Sequence, residues 1–204
     1  MLLDICKEHR KRYGWLIRQK RIALGYTQKE LVETLGHAVS LRSYIALENG
    51  KALQDMDIYD QLFALLDLQY NYACNPDPLL TPFLQKLFES WNAYEEEACC
   101  SCIRELLQLL SPYRQYSWES VVLKSLSILL DALKKDRLLK SEEYDWLMQF
   151  HSVLPRELES VYASILYHYQ YTLPHDRNQL RNLLTIFPMP VSYTHLRAHE
   201  TELH

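Results

Sequence analysis

Three cysteines crowd into Cys99-Cys100-Ser101-Cys102, and a Cys-x-x-Cys pair of this kind can hold a soft metal or switch between thiol and disulfide. Neither chemistry finds its remaining parts. A zinc site needs a second pair or neighbouring histidines, whereas His151, His168 and His175 stand singly among unrelated residues. The thiols read instead as small apolar packing on a helix. Glu95-Glu96-Glu97 has the pattern of a solvated helix face rather than of an acid-base pair. No nucleophile is set beside a base, and no glycine-rich loop is built to cradle phosphate. The sequence thus points to a protein that is not an enzyme and uses no cofactor or metal. What remains is charge. Between Lys7 and Lys51 ten Lys and Arg residues oppose four Glu, giving +6 in a chain whose net charge is −4. A basic module suited to a polyanion therefore adjoins an acidic one.

The elements that must position these charges are helices. Leu, Ala, Glu, Lys, Arg and Gln dominate, only 4 glycines occur, and no run alternates long enough for a strand, so the expected class is all-α. With 48% hydrophobic and 24% charged residues, the 204-residue chain can form two small cores. No segment approaches the roughly 20 apolar residues of a membrane span, and the start MLLDICKEHRKR lacks a leader pattern. Five cysteines without framework spacing suit reduced thiols. A cytoplasmic protein without membrane contact is expected.

Asn75-Pro76-Asp77-Pro78 excludes a continuous helix and marks the boundary between residues 1–75 and 76–190. About five helices are expected before it, to roughly Ala73, with Gly25, Gly36 and Asn49-Gly50 as stops. Beyond it, apolar stripes run through Leu79 to Cys99, Ile103 to Leu110, Trp118 to Leu133, Glu142 to Val153 and Leu158 to Tyr171, with tyrosines 162, 167, 169 and 171 close together. These would pair as antiparallel helices around a largely aromatic and aliphatic core. The tail from Val191, reading VSYTHLRAHE, breaks with everything before it and resembles one reading frame of a transposase adapter used in preparing sequencing libraries. On that reading residues 191–204 are not native, His195, His199 and His204 are no metal site, and the natural protein continues past Pro190.

Local chemistry predicts a helix, a turn and a second helix near the amino terminus. Thr27-Gln-Lys-Glu30 is a capping box, so a helix begins at Gln28. Leu31, Val32 and Leu35 share one face of it, Gly36 ends it, and Ser40 can cap the next. In that second helix the spacing of Tyr44 and Leu47 buries one side and turns Leu41, Arg42, Ser43 and Ala46 outward.

From Tyr13 to Lys51 this pattern resembles the Cro/C1 (XRE) family of helix-turn-helix regulators. The resemblance rests on Gly14, Ile17, Arg18, Arg21, Gly25, Thr27, Gln28, Leu31, Gly36, Val39, Ser40 and the run Leu47-Glu48-Asn49-Gly50-Lys51. It implies a lambda-repressor-like fold, a homodimer on double-stranded DNA, and half-sites about 34 Å apart met by the second helix in the major groove. Leu41, Arg42, Ser43 and Ala46 would then contact bases, Arg42 matching the two acceptors of guanine and Leu41 or Ala46 meeting a thymine methyl. The resemblance makes Gln28 and Lys51 phosphate ligands and Arg21 with Glu48 an internal ion pair. Two features depart from the family. The turn holds His37 and Ala38 in excess of the usual length, which would re-aim the second helix, and apolar Leu41 and Ala46 stand where polar readers are common, which shifts specificity toward DNA shape. The order of domains resembles Rgg and PlcR-type regulators, whose tetratricopeptide-like domain binds a signalling peptide and dimerises. The rival reading is a helical protein-interaction module in which the helix-turn-helix is a platform that binds no DNA.

Overall fold

Helix ends set the course of this chain. The computed structural model describes residues 7–51, 57–71, 77–135, 137, 139–150 and 154–163. Its elements run α1 (Lys7–Ala23), α2 (Gln28–Thr34), α3 (Leu41–Glu48), α4 (Asp57–Leu65), α5 (Asp77–Asn92), α6 (Glu96–Leu110), α7 (Ser117–Lys134) and α8 (Ser141–Phe150). A 3-10 turn, Ser111–Tyr113, links α6 to α7, and residues 156–163 are again helical. The described residues hold no strand, so the chain is all-α. Among them no helix is long and apolar enough to cross a membrane.

Gly25, Gly36 and Gly50 follow α1, α2 and α3 with φ of 77°, 62° and 77°. In each case the next amide reaches back to a carbonyl five residues earlier: Tyr26 to Arg21 at 3.0 Å, His37 to Val32 at 3.1 Å and Lys51 to Ala46 at 3.0 Å. This is the Schellman closure, which satisfies carbonyls that a helix end leaves open. The same closure follows α4 and α5 without glycine. Asp67 and Tyr94 take φ of 50° and 59°, while Leu68 donates to Phe63 at 2.8 Å and Glu95 to Ser90 at 3.0 Å. One expectation changes as a result. The stripe from Leu79 to Cys99 is two helices, because the left-handed Tyr94 ends α5 and Cys99 belongs to α6. Among the described residues up to 71 there are four helices, and the chain after Asp67 leaves helical geometry.

α1 is a shared wall. On one side it meets α3 so closely that a Cβ on Gly14 would lie 2.3 Å from the Leu47 carbonyl oxygen. On the other it meets the carboxy-terminal helices: Arg12 lies 4.8 Å over the Trp118 ring of α7, and Trp15 packs 4.3 Å from Phe150 of α8. Trp146 stacks on Phe150, and Lys124 of α7 lies 4.4 Å from the Trp146 ring. The segment after α4 is stitched to α7 by a reciprocal pair. Ser117 N–H donates to the Gln69 carbonyl at 3.0 Å, and Gln69 N–H donates to Ser117 Oγ at 2.8 Å. Tyr13 Oη donates to the same Gln69 carbonyl at 3.1 Å.

Beyond these contacts α5 packs on α6 and α6 on α7, in chain order. Leu84, Leu87, Ile103, Leu106, Leu126 and Leu129 are buried between them. Arg137 clasps the connection from α7 to α8, bonding Asp131 at 2.6 Å and Glu143 at 2.8 Å. One cluster of buried apolar residues extends from Tyr13 to Tyr162 and spans both halves. Ala73, Asn75 and Pro76 of the expected boundary lie outside the described residues, as do His151, His168, His175, tyrosines 167, 169 and 171, and the tail from Val191.

The closeness of α1 and α3 gives a direct prediction. Gly14→Ala puts a methyl against the backbone of Leu47, Glu48 and Gly50 and should cost about 1–3 kcal/mol in urea denaturation. Gly25→Ala, which meets nothing within 4 Å, should cost only the left-handed penalty of about 1 kcal/mol. Equal losses at the two positions would contradict this packing.

Candidate nucleic-acid interface

The capping box is present as drawn from the sequence. Glu30 N–H donates to Thr27 Oγ1 at 3.1 Å, and Thr27 N–H donates to Glu30 Oε2 at 2.7 Å, so α2 starts at a fixed point. The bonds to Thr27 hold the Glu30 carboxyl below its ordinary pKa. Ser40 caps α3 by accepting from Ser43 N–H at 3.1 Å. Between the two helices Leu35 to Val39 make the long turn. Gly36 and His37 are both left-handed there, and Val39 is buried beneath them.

The inner side of α3 is organised by a buried carboxylate. Glu48, with a side chain 3% exposed, accepts from Arg21 Nε at 2.6 Å and Nη2 at 3.3 Å. Tyr44 Oη donates to it at 2.7 Å and Gln28 Nε2 at 2.7 Å. Arg21 also donates through Nη1 to the Tyr26 carbonyl at 2.8 Å. One carboxylate thus receives donors from α1, α2 and α3. Burial pushes the Glu48 carboxyl up, but the bonds from Arg21, Gln28 and Tyr44 outweigh it and hold its pKa below 4.5. The bond from Glu48 holds the Arg21 guanidinium more firmly protonated, while burial and the Glu48 charge push the Tyr44 phenol up.

The outer side of α3 follows by opposition. Leu41 is 40% and Ile45 38% exposed, Arg42 is exposed between them, and Ser43 and Ala46 are half-buried. Ser43 Oγ accepts from Ser40 Oγ at 2.9 Å, which uses one of its lone pairs within the cap. Among the residues singled out from the sequence, Arg21 and Glu48 form the ion pair, Leu41 and Arg42 face solvent together, and Lys51 is exposed after the turn that closes α3. Gln28, singled out as a phosphate ligand, is half-buried with its amide nitrogen bonded to Glu48. No family model, curated protein or solved structure matches this chain.

Ile45 is the outward residue that the sequence analysis did not select. Its spacing of three from Arg42 and four from Leu41 places it on their strip, a signal masked by the expectation that an isoleucine faces a core. The cysteine cluster lies away from this surface. Cys99, Cys100 and Cys102 are buried, and burial pushes the Cys99 thiol up to about 11, the wrong direction for a reactive thiolate.

The Glu48 cluster should appear in stability measurements. Glu48→Ala strands Arg21 in a buried site and should cost about 3–5 kcal/mol. Because the folded pKa of Glu48 is depressed, its contribution is full above the unfolded value near 4.5 and is lost as pH falls through the folded value. Urea midpoints from pH 7 to pH 3 should show a drop below pH 4.5 that is smaller in Glu48→Gln. In the turn, His37→Gly should raise stability by about 1 kcal/mol in the same assay, by relieving a side chain held at φ 59°.

Proposed function

We propose that this chain is a DNA-binding transcriptional regulator whose α3 enters the major groove. The observation that carries the reading is the division of α3: one side is locked to α1 and α2 through Glu48, and the other presents Arg42 in solvent. A guanidinium held on a rigid helix can make the bidentate contact to guanine O6 and N7. The charge balance favours a polyanion, since the segment from Lys7 to Lys51 carries +6 in a chain of −4. Lys51 and Lys29, both exposed, are the candidates for phosphate, and Gln28 serves by holding α2 to α3. A homodimer would meet two half-sites, and the helical pairs of α5 to α7 would supply its contacts or receive a peptide effector.

The rival interaction-module reading gains support from Leu41 and Ile45, two apolar side chains exposed on the same strip. Salt separates the two readings. Fluorescence anisotropy with genomic promoter fragments should give an affinity that falls steeply with salt, and Arg42→Ala should remove preference among fragments, at a cost of about 1–3 kcal/mol for the favoured one. No binding at low salt by the folded chain would instead make α3 a protein-docking surface.

A further inference from the structure

Gly50 closes α3 directly against the backbone of α1. A Cβ added there would lie 2.8 Å from Lys11 Cα and 3.2 Å from Lys11 N, so the two segments touch at this point. Lys51 is the next residue, and one Cα step of about 3.8 Å keeps the Lys11 and Lys51 Cα atoms within about 8 Å of each other. Both side chains are exposed, and among the described residues neither ammonium has an ion pair or a hydrogen bond. A lysine beside the end of a helix ordinarily serves its open carbonyls. Here backbone amides already take them: Asn49 reaches Ile45 and Ala46 at 3.3 and 3.2 Å, Gly50 reaches Leu47 at 2.8 Å, and Lys51 reaches Ala46 at 3.0 Å. Asn49 Nδ2 adds a second bond to the Ile45 carbonyl at 2.8 Å. The end of α3 therefore gives the two ammonium groups no hydrogen-bonding role within the fold.

Resting on the DNA-binding reading, we infer that Lys11 is a phosphate ligand and acts as a pair with Lys51, one ammonium from α1 and one from the end of α3. Lys11 precedes the stretch from Tyr13 to Lys51 that carries the family resemblance, and that resemblance gives it no role. Two unpaired cations side by side suit the phosphodiester backbone, where each neutralises one of two neighbouring phosphates on a strand. Their long flexible stems let each ammonium settle as a point charge. Other cations of α1 are engaged within the fold: Arg21 bonds Glu48 and Arg12 lies over the Trp118 ring. The pair reads no base. Because Gly50 fixes it to α1 and α3 together, it sets the register in which Arg42 meets the groove.

The test uses the intact chain and genomic promoter fragments in anisotropy titrations across a salt series. Lys11→Gln and Lys51→Gln, their folds checked by circular dichroism, should each reduce the slope of log affinity against log salt by about 0.9, with preference among fragments kept. Lys20→Gln is the control. Lys20 is exposed nine residues further along α1, on the opposite side of that helix, so its loss removes the same charge and should leave the slope unchanged. An unchanged slope in Lys11→Gln, or an equal fall in Lys20→Gln, overturns the assignment of Lys11 and leaves DNA binding standing. A fall in Lys11→Gln without one in Lys51→Gln overturns the pairing. No binding by the unaltered folded chain at low salt removes the DNA-binding reading and this inference with it.

Discussion

An ionised carboxylate taken out of water costs several kcal/mol, and the folded state tolerates it only when nearly every lone pair finds a donor. Glu48 meets that condition with donors from three helices. Arg21 reaches it from α1, Gln28 from α2, and Tyr44 from one turn earlier on α3. Each bond is short and directional, so a change in the angle of α2 or α3 against α1 would leave a buried charge short of partners. The net stabilisation from such a cluster is modest, because desolvation consumes much of the attraction. Its value lies in geometry: once Tyr44, Leu47 and Glu48 face inward, α3 can present only the strip of Leu41, Arg42 and Ile45 to the outside.

The turn before α3 relies on backbone geometry instead. Two consecutive left-handed residues, Gly36 and His37, close α2, and Val39 anchors the far side of the turn in the core. His37 and Ala38, which lengthen this turn, are thus ordered by the Schellman bonds and by a buried side chain. A longer turn of this kind changes where α3 starts, while the Glu48 cluster still decides how α3 is rotated about its own axis.

Features written within a few residues of chain were legible in the sequence. The capping box of Thr27 and Glu30, the Ser40 cap, the three glycine stops and the inward spacing of Tyr44 and Leu47 all depend on neighbours, and all stand as read. What escaped depends on partners distant in sequence or on conformations without a residue signature. The left-handed Tyr94 and Asp67 carry no glycine to announce a helix end. Nothing in the vicinity of Gln28 signals a bond to a carboxylate twenty residues later. Ile45 gives no sign of exposure by its type, because an isoleucine at that spacing suits a core as well as a surface. The family of the site, its ligand and any effector are matters of surface chemistry, which local pattern constrains only loosely.

The reciprocal bond between Gln69 and Ser117 bears on how this chain can be divided. The first amide of α7 is capped by a carbonyl from 48 residues earlier, and Tyr116, at the N-cap position, supplies no side-chain capping bond. With Tyr13 sharing that carbonyl and Trp15 seated on Phe150, the amino-terminal helices borrow part of their interior from the carboxy-terminal ones. In engineering terms, the basic segment is not a detachable cassette. A graft that ends near residue 75 would carry an uncovered aromatic wall with it, and any transplant meant to keep the orientation of α3 has to bring α7 and α8 along.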